Sequence, residues 1–311
     1  MSSEPPGIGS PRSAISNQRH DSAPPPAAGR WLSAAFADRR WRRFQRSRSA
    51  WFGTAIVGLF LTIATLADVL APYRSNELVA KPYQAISSQH WLGTDSMGHD
   101  VFSRVLQGSR LSLQAGIVSI AVAMLVGAPI GVLAGYLGGW FDLLVMRAID
   151  VMLSLPTILV ALVLVVAFSP TRIVVLLTVG FINIPIFCRQ VRATVLTVCH
   201  QDYVMASYAA GASDAQILRR VVLPAVVSPV IVLASLGLGT TILEVAGLSF
   251  LGVGGEPYEA EWGNMLRIAK DSLNRAPACT WLAPGTAISL AVLGFGLLGD
   301  GLRDALEPTS R

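Results

Sequence analysis

The chain has 311 residues, of which 52% are apolar and only 14% charged, with a mean hydropathy of +0.54. Soluble domains carry about 25% charged residues, so a freely soluble globular protein is excluded. The net charge of +5 does not signal nucleic-acid binding, because no folded reader domain accompanies the basic residues.

Residues 1–29 are rich in Pro, Ser, Ala and Gly without apolar periodicity, and residues 1–50 together read as a disordered, basic segment. Seven of its arginines, Arg30, Arg39, Arg40, Arg42, Arg43, Arg46 and Arg48, immediately precede the first apolar run. By the positive-inside rule they place the N-terminus in the cytoplasm, against anionic membrane lipid. The run that follows is too long and too far from the N-terminus for a cleaved signal peptide.

Six stretches approach the 20 or so residues needed to cross roughly 30 Å of hydrocarbon: Trp51–Ala71, Leu111–Tyr136, Leu143–Phe168, Ile173–Cys188, Ala225–Val245 and Trp281–Leu302. The predicted fold class is therefore an all-α integral membrane protein with six transmembrane helices. Residues 72–110 form an external loop with an amphipathic segment, and residues 111–308 form the core. An even number of spans returns the C-terminus to the cytoplasm. Residues 189–224 then fall on the cytoplasmic side and residues 246–280 outside.

Span two carries Gly127, Gly131 and Gly135 at four-residue spacing, a face for close helix packing. Pro129 and Pro156 predict kinks, and Arg147 and Asp150 have the spacing of an ion pair on one helix. On span five, Ser235, Thr240, Thr241 and Glu244 are the polar candidates for a translocation path, because an intramembrane carboxylate is costly unless used or wet. Asp68 lies near the outer surface and needs no special role. Cys188, Cys199 and Cys279 have neither metal-site spacing nor a disulfide pattern. His90, Asp95, His99 and Asp100 suggest a metal, but Asp95 and Asp100 are better read as caps, so no metal site is assigned.

The most informative stretch is polar: Asp202-Tyr-Val-Met-Ala-Ser-Tyr-Ala-Ala-Gly-Ala-Ser-Asp-Ala-Gln-Ile-Leu-Arg-Arg-Val-Val-Leu-Pro224. It predicts two short helices joined at Gly211. Asp202 caps the first, and Ser213 with Gln216 forms a capping box for the second, which runs into Leu223 and Pro224. Tyr203, Ile217 and Leu218 are the apolar anchors this hairpin offers a partner.

The pattern Ala206, Gly211, Ile217, Leu223-Pro224 resembles the cytoplasmic coupling loop of bacterial ABC importer permeases. His90-Trp-Leu-Gly-Thr-Asp-Ser-Met-Gly-His-Asp-Val-Phe-Ser-Arg104 resembles the segment before span two in the "C" type subunit of dipeptide, oligopeptide and nickel permeases. Gly135-Tyr-Leu-Gly-Gly-Trp-Phe-Asp142, Leu248-Ser-Phe-Leu-Gly-Val-Gly254, Trp262-Gly-Asn-Met-Leu266 and Leu298-Gly-Asp-Gly-Leu-Arg-Asp-Ala-Leu306 follow in the family's order. The resemblance implies the type I importer permease fold in the bacterial inner membrane and import of di- or oligopeptides. It also implies a homologous second permease, two cytoplasmic ATPases that bind ATP and Mg, and an extracytoplasmic substrate-binding protein. One departure is Met205, which stands where the family's motif has glutamate and so forfeits a helix-start charge worth about 0.3–1 kcal/mol.

No cofactor is expected on this chain, since it has no glycine-rich loop ending in Gly-Lys-Ser or Gly-Lys-Thr. Nickel or another small solute is the same-fold alternative. An intramembrane enzyme would need a nucleophile and base facing each other at depth, and no such arrangement is visible, so no catalytic residue is assigned. A channel would leave the hairpin without a purpose.

Overall fold

Inside a bilayer the backbone must satisfy its own hydrogen bonds, and this apolar chain does so in helices. The computed structural model describes residues 44–45, 47–256 and 258–306. Most of the segment expected to be disordered therefore lies outside the described residues.

The helices are α1 (Arg48–Leu70), α2 (Val101–Leu137), α3 (Gly139–Ser154), α4 (Thr157–Ala167), α5 (Arg172–Cys199), α6 (Asp202–Ala209), α7 (Asp214–Ile217), α8 (Leu223–Phe250), α9 (Trp262–Lys270) and α10 (Cys279–Leu306), with a π-helical segment at Leu218–Val222 between α7 and α8. Polar side chains start several of them: Ser47 Oγ accepts from the amide of Ala50, Asp100 from Ser103 and Thr171 from Val174. Asp95 accepts from the amides of Met97 and His99, so both aspartates do serve as local caps.

Among the described residues five helices are long and apolar enough to span a membrane, and a sixth span arises if α3 and α4 are counted together. Those two are bent by 90° at the intervening break. Pro156 causes it: the preceding Leu155 is driven to an extended backbone (φ −97°, ψ 142°) and the ring supplies no amide hydrogen. The straight third span read from the sequence is thus corrected to two arms. Span four, read as ending at Cys188, continues to Cys199. Span two begins at Val101, ten residues earlier than its hydropathy suggests, because Asp100 caps a helix whose first turns are polar.

The amphipathic segment anticipated within 72–110 is not a separate helix. Residues 71–100 form turns and an isolated bridge between Thr94 and Asp100. The short amphipathic helix is α9, which buries Trp262, Met265 and Ala269 and carries Arg267 and Lys270 in its last turn.

Packing runs from α1 through α10 and α8 to α2 and α5, with α9 lodged against α8 and α10. A first core joins Phe60, Ile242, Trp262 and Phe295, and a second joins Val165, Val175 and Val245. The α2–α5 contact is the most extensive, and its seam is the glycine row. A Cβ added at Gly127 would lie 2.7 Å from the Ile184 carbonyl oxygen, and one at Gly131 would lie 2.5 Å from that of Cys188. At Gly135 it would lie 2.9 Å from Val195 Cβ. At Gly127 and Gly131 the nearest atom is backbone, which cannot move aside. We expect Gly131→Leu to lower the thermal midpoint of the purified protein and its yield, at a cost of about 1–3 kcal/mol for overpacking. An unchanged midpoint would show the seam to be slack.

Helix α3 is the exception to this packing. Ile149 is its one buried residue among those described, and Trp140, Leu143 and Val151 are exposed.

Candidate functional site

The hairpin of α6 and α7 closes one end of the bundle. Gln201, not Asp202, is the residue preceding α6; Asp202 occupies the first helical position and places its charge in the first turn. That carboxylate partly replaces, through the helix dipole, the charge missing at Met205. Gly211 ends the first arm with φ +82°, in the left-handed region. Ser213 and Gln216 form the reciprocal capping box, with the Ser213 amide donating to Gln216 Oε1 at 3.2 Å.

The second arm does not stop at Leu223-Pro224. The π-helical segment carries it into α8, so hairpin and span are one continuous run from Asp214 to Phe250. The widened turn lets the Leu223 amide donate to the carbonyl of Leu218, and Pro224, which lacks an amide hydrogen and so interrupts the regular ladder, follows directly where the α-helical part resumes.

The arms are held to the bundle by Val204 and Ile217, both buried with Val195, Val222 and Val226. The expectation that Ile217 faces outward as a partner anchor is corrected: it is only 1% exposed, because its helical face is the one turned to α5 and α8. Leu218 is half-buried. Tyr203 and Met205 are 51% and 60% exposed, and Tyr208, Ala206 and Gly211 are exposed beside them. Leu223 and Pro224 are exposed at the junction with the span.

Sequence spacing did not reveal what fixes this end. Arg192 of α5 pairs with Asp142 of α3, and Arg189 pairs with Asp150. Asp150 is therefore engaged across helices, which corrects the expected pairing with Arg147 on its own helix. Tyr136, at the end of α2, meets Tyr208 and Asp214 of the hairpin. These groups lie tens of residues apart in sequence, and no local pattern links them.

Within the bundle, the Asn183 side-chain amide of α5 donates to Glu244 Oε2 at 2.6 Å and to the Val179 carbonyl at 2.9 Å. Glu244 is half-buried and Thr240, one turn away, is exposed. Ser235 and Thr241 are buried, and the Thr241 hydroxyl is spent on the Gly237 carbonyl at 2.7 Å. The Thr240 hydroxyl donates to the same carbonyl at 3.0 Å, so exposure alone sets Thr240 and Glu244 apart from these two.

At the opposite end, Arg104 is 1% exposed and binds two loops together, donating to the carbonyls of Ser75, Tyr258 and Glu259. The Trp262 indole donates to the Val105 carbonyl at 3.0 Å. His90 meets Asp100 and His99 meets Asp95, each at 3.0 Å, as two separate pairs. Among the described residues no group of three or more His, Cys, Asp or Glu is placed to hold a metal. Asp68 pairs with Arg110, joining α1 to α2.

Membrane-length helices sealed by ordered loops at one end, with an exposed helical hairpin at the other, define the permease class of transport subunit. The family model described as the binding-protein-dependent transport system inner membrane component matches residues 127–311, and the N-terminal TM domain of oligopeptide transport permease C matches residues 36–88. The chain belongs to this family, as a multi-pass permease of the inner membrane. It is 38% identical to the dipeptide transport system permease protein DppC of Alkalihalophilus pseudofirmus over 91% of this chain and 93% of that one. To the glutathione transport system permease protein GsiD it is 42% identical in Pectobacterium atrosepticum and 40% in Escherichia coli, in each case over 86% of this chain and 89% of the relative. A solved chain of the MetNI methionine ABC transporter, in an inward-facing conformation, shares the fold with a TM-score of 0.55 at 21% identity, covering 67% of this chain and 98% of that one.

Proposed function

We propose that this permease forms half of the translocation path of an ATP-driven importer of small peptides. In this reading both termini and the hairpin are cytoplasmic. A homologous permease completes the path, two cytoplasmic ATPases bind the ATP and Mg, and an extracytoplasmic binding protein delivers the solute to the loop end held by Arg104. The observation that carries it is the exposed surface of Tyr203, Met205 and Tyr208 on a hairpin that is itself continuous with a span. Apolar and aromatic side chains on a rigid helix suit the groove of a soluble partner. With Ile217 turned inward, the contact falls to Tyr203 and Met205, and Met205 would require an apolar pocket where other family members present a glutamate.

Peptide as cargo is supported by the relatives' dipeptide and glutathione transport. Uptake by the complete complex, measured for dipeptides, tripeptides, glutathione and nickel, tests it, and nickel uptake alone would overturn it. Within the path, Glu244 supplies the one carboxylate beside an exposed hydroxyl on α8. Glu244→Gln keeps an acceptor for Asn183 and removes the charge. We expect assembly to be unchanged and uptake to fall roughly five- to tenfold, since a hydrogen bond to a charged group is worth about 1 kcal/mol more than a neutral one. Normal uptake would make Glu244 a packing group.

A further inference from the structure

The hairpin is attached to the bundle in three ways, and only one of them is directional. The first is covalent, through His200 and Gln201 from α5 and through the π-helical segment into α8. The second is apolar, through Val204 and Ile217, and burial of this kind fixes contact area but not orientation. The third is a knot of oxygens. Tyr136 Oη lies 3.1 Å from Tyr208 Oη, 3.0 Å from the Asp214 carbonyl and 3.3 Å from Asp214 Oδ1. Tyr208 Oη donates to the same Asp214 carboxylate at 3.1 Å.

The placement of these groups matters more than their number. Tyr208 belongs to α6 and Asp214 to α7, so the knot spans the two arms on either side of the left-handed Gly211. Tyr136 stands at the end of α2, directly after Gly135, where the backbone of α2 rests on Arg192 and Val195 of α5. From that point the glycine row brings the backbone of α2 directly onto α5. A glycine turn exposed to solvent is the softest joint in the hairpin, and the oxygens bridge that joint from outside.

We propose that Tyr136 is a positioning residue for coupling: its hydroxyl fixes to α2 a hairpin whose arms Tyr208 and Asp214 close across Gly211. Displacement imposed by the ATPase is then delivered to the α2–α5 pair instead of being absorbed by flexing at Gly211. The assignment rests on the coupling role of the hairpin proposed above. Hydrogen bonds are directional where apolar contacts are not, so removing one oxygen should loosen the angle of the hairpin while leaving its seat intact.

The test uses the full complex in liposomes with Tyr136→Phe, Tyr208→Phe and Gly211→Val, reading solute moved per ATP hydrolysed. Tyr136→Phe should assemble normally and lower that ratio about fivefold, the effect of one ordinary hydrogen bond. Tyr208→Phe should lower it less, because the bond from Tyr136 to Asp214 survives. Amide hydrogen exchange of the nucleotide-free complex should accelerate at residues 208–214 in both variants, and this reading decides through Tyr208→Phe alone should Tyr136→Phe fail to assemble. An unchanged ratio in Tyr136→Phe, or uptake that falls only in step with the amount of assembled complex, overturns the assignment. If Gly211→Val also leaves the ratio unchanged, the coupling role of the hairpin falls with it; if Gly211→Val uncouples and Tyr136→Phe does not, only the role of Tyr136 is lost.

Discussion

Gly211→Val is expected to separate ATP hydrolysis from solute uptake in the assembled importer. Space is not the obstacle, since a Cβ at Gly211 would meet no atom within 4 Å. The obstacle is the backbone: φ is +82°, where a β-branched residue is a strained outlier costing about 1–3 kcal/mol. Val204 and Ile217 are anchored in the core on either side, so relief must come from opening the turn between them. The arms then part, and the exposed face of Tyr203 and Met205 no longer moves with α8. A graded series makes the cause legible. Asn, which visits the left-handed region readily, should retain most uptake; Ala should retain less; Val should retain least, with uptake down by roughly a factor of ten or more. Uptake and ATPase stimulation both at native levels in Gly211→Val would count decisively against the coupling role of this hairpin.

Periodicity and composition made the helical class legible because a bilayer leaves the chain little choice. Apolar runs near 20 residues marked every long helix, and the capping chemistry of Ser213 and Gln216 marked the start of α7. What hydropathy missed was polar helix. The first turns of α2 carry serines and arginines and the last eleven residues of α5 carry two arginines, and they are helical because neighbours supply their partners: Arg104 binds loop carbonyls, while Arg189 and Arg192 pair with aspartates of α3. Pro156 was readable as a disturbance, yet its 90° consequence depends on α4 packing against α5.

The site was legible in its local chemistry and illegible in its long-range pairing. Gly211 needed only its neighbours to be read as a left-handed turn. The inward orientation of Ile217 required knowing where α5 and α8 lie, and the π-helical segment required knowing that the helix continues through Leu223. Asn183 and Glu244 each stand out as polar residues in apolar runs, but 61 positions separate them. Tyr136 and Asp214 are 78 apart. No period of 3.6 reaches across such distances, and only the packed bundle brings these groups together.

Purified alone, this subunit is expected to hydrolyse no ATP and to pass no solute across liposomes. Helix α3 leaves Trp140 75% exposed and Val151 65% exposed, with an abrupt bend into α4. Lipid can cover such a surface, but it cannot satisfy Glu244, which is half-buried within a membrane-length helix with Asn183 bonded to one of its oxygens. An ionised side chain within a bilayer-spanning segment is costly, so such groups face water or another protein surface. A second permease set against the bundle would provide both. The hairpin has the same incompleteness at the aqueous end, where Tyr203 and Met205 stand exposed on a helix attached to no source of force. Adding the second permease and the ATPases should therefore restore hydrolysis, and uptake should appear only when the binding protein is also present. Rapid peptide flux through the lone subunit, independent of ATP, would instead identify a channel or secondary carrier and overturn the importer reading.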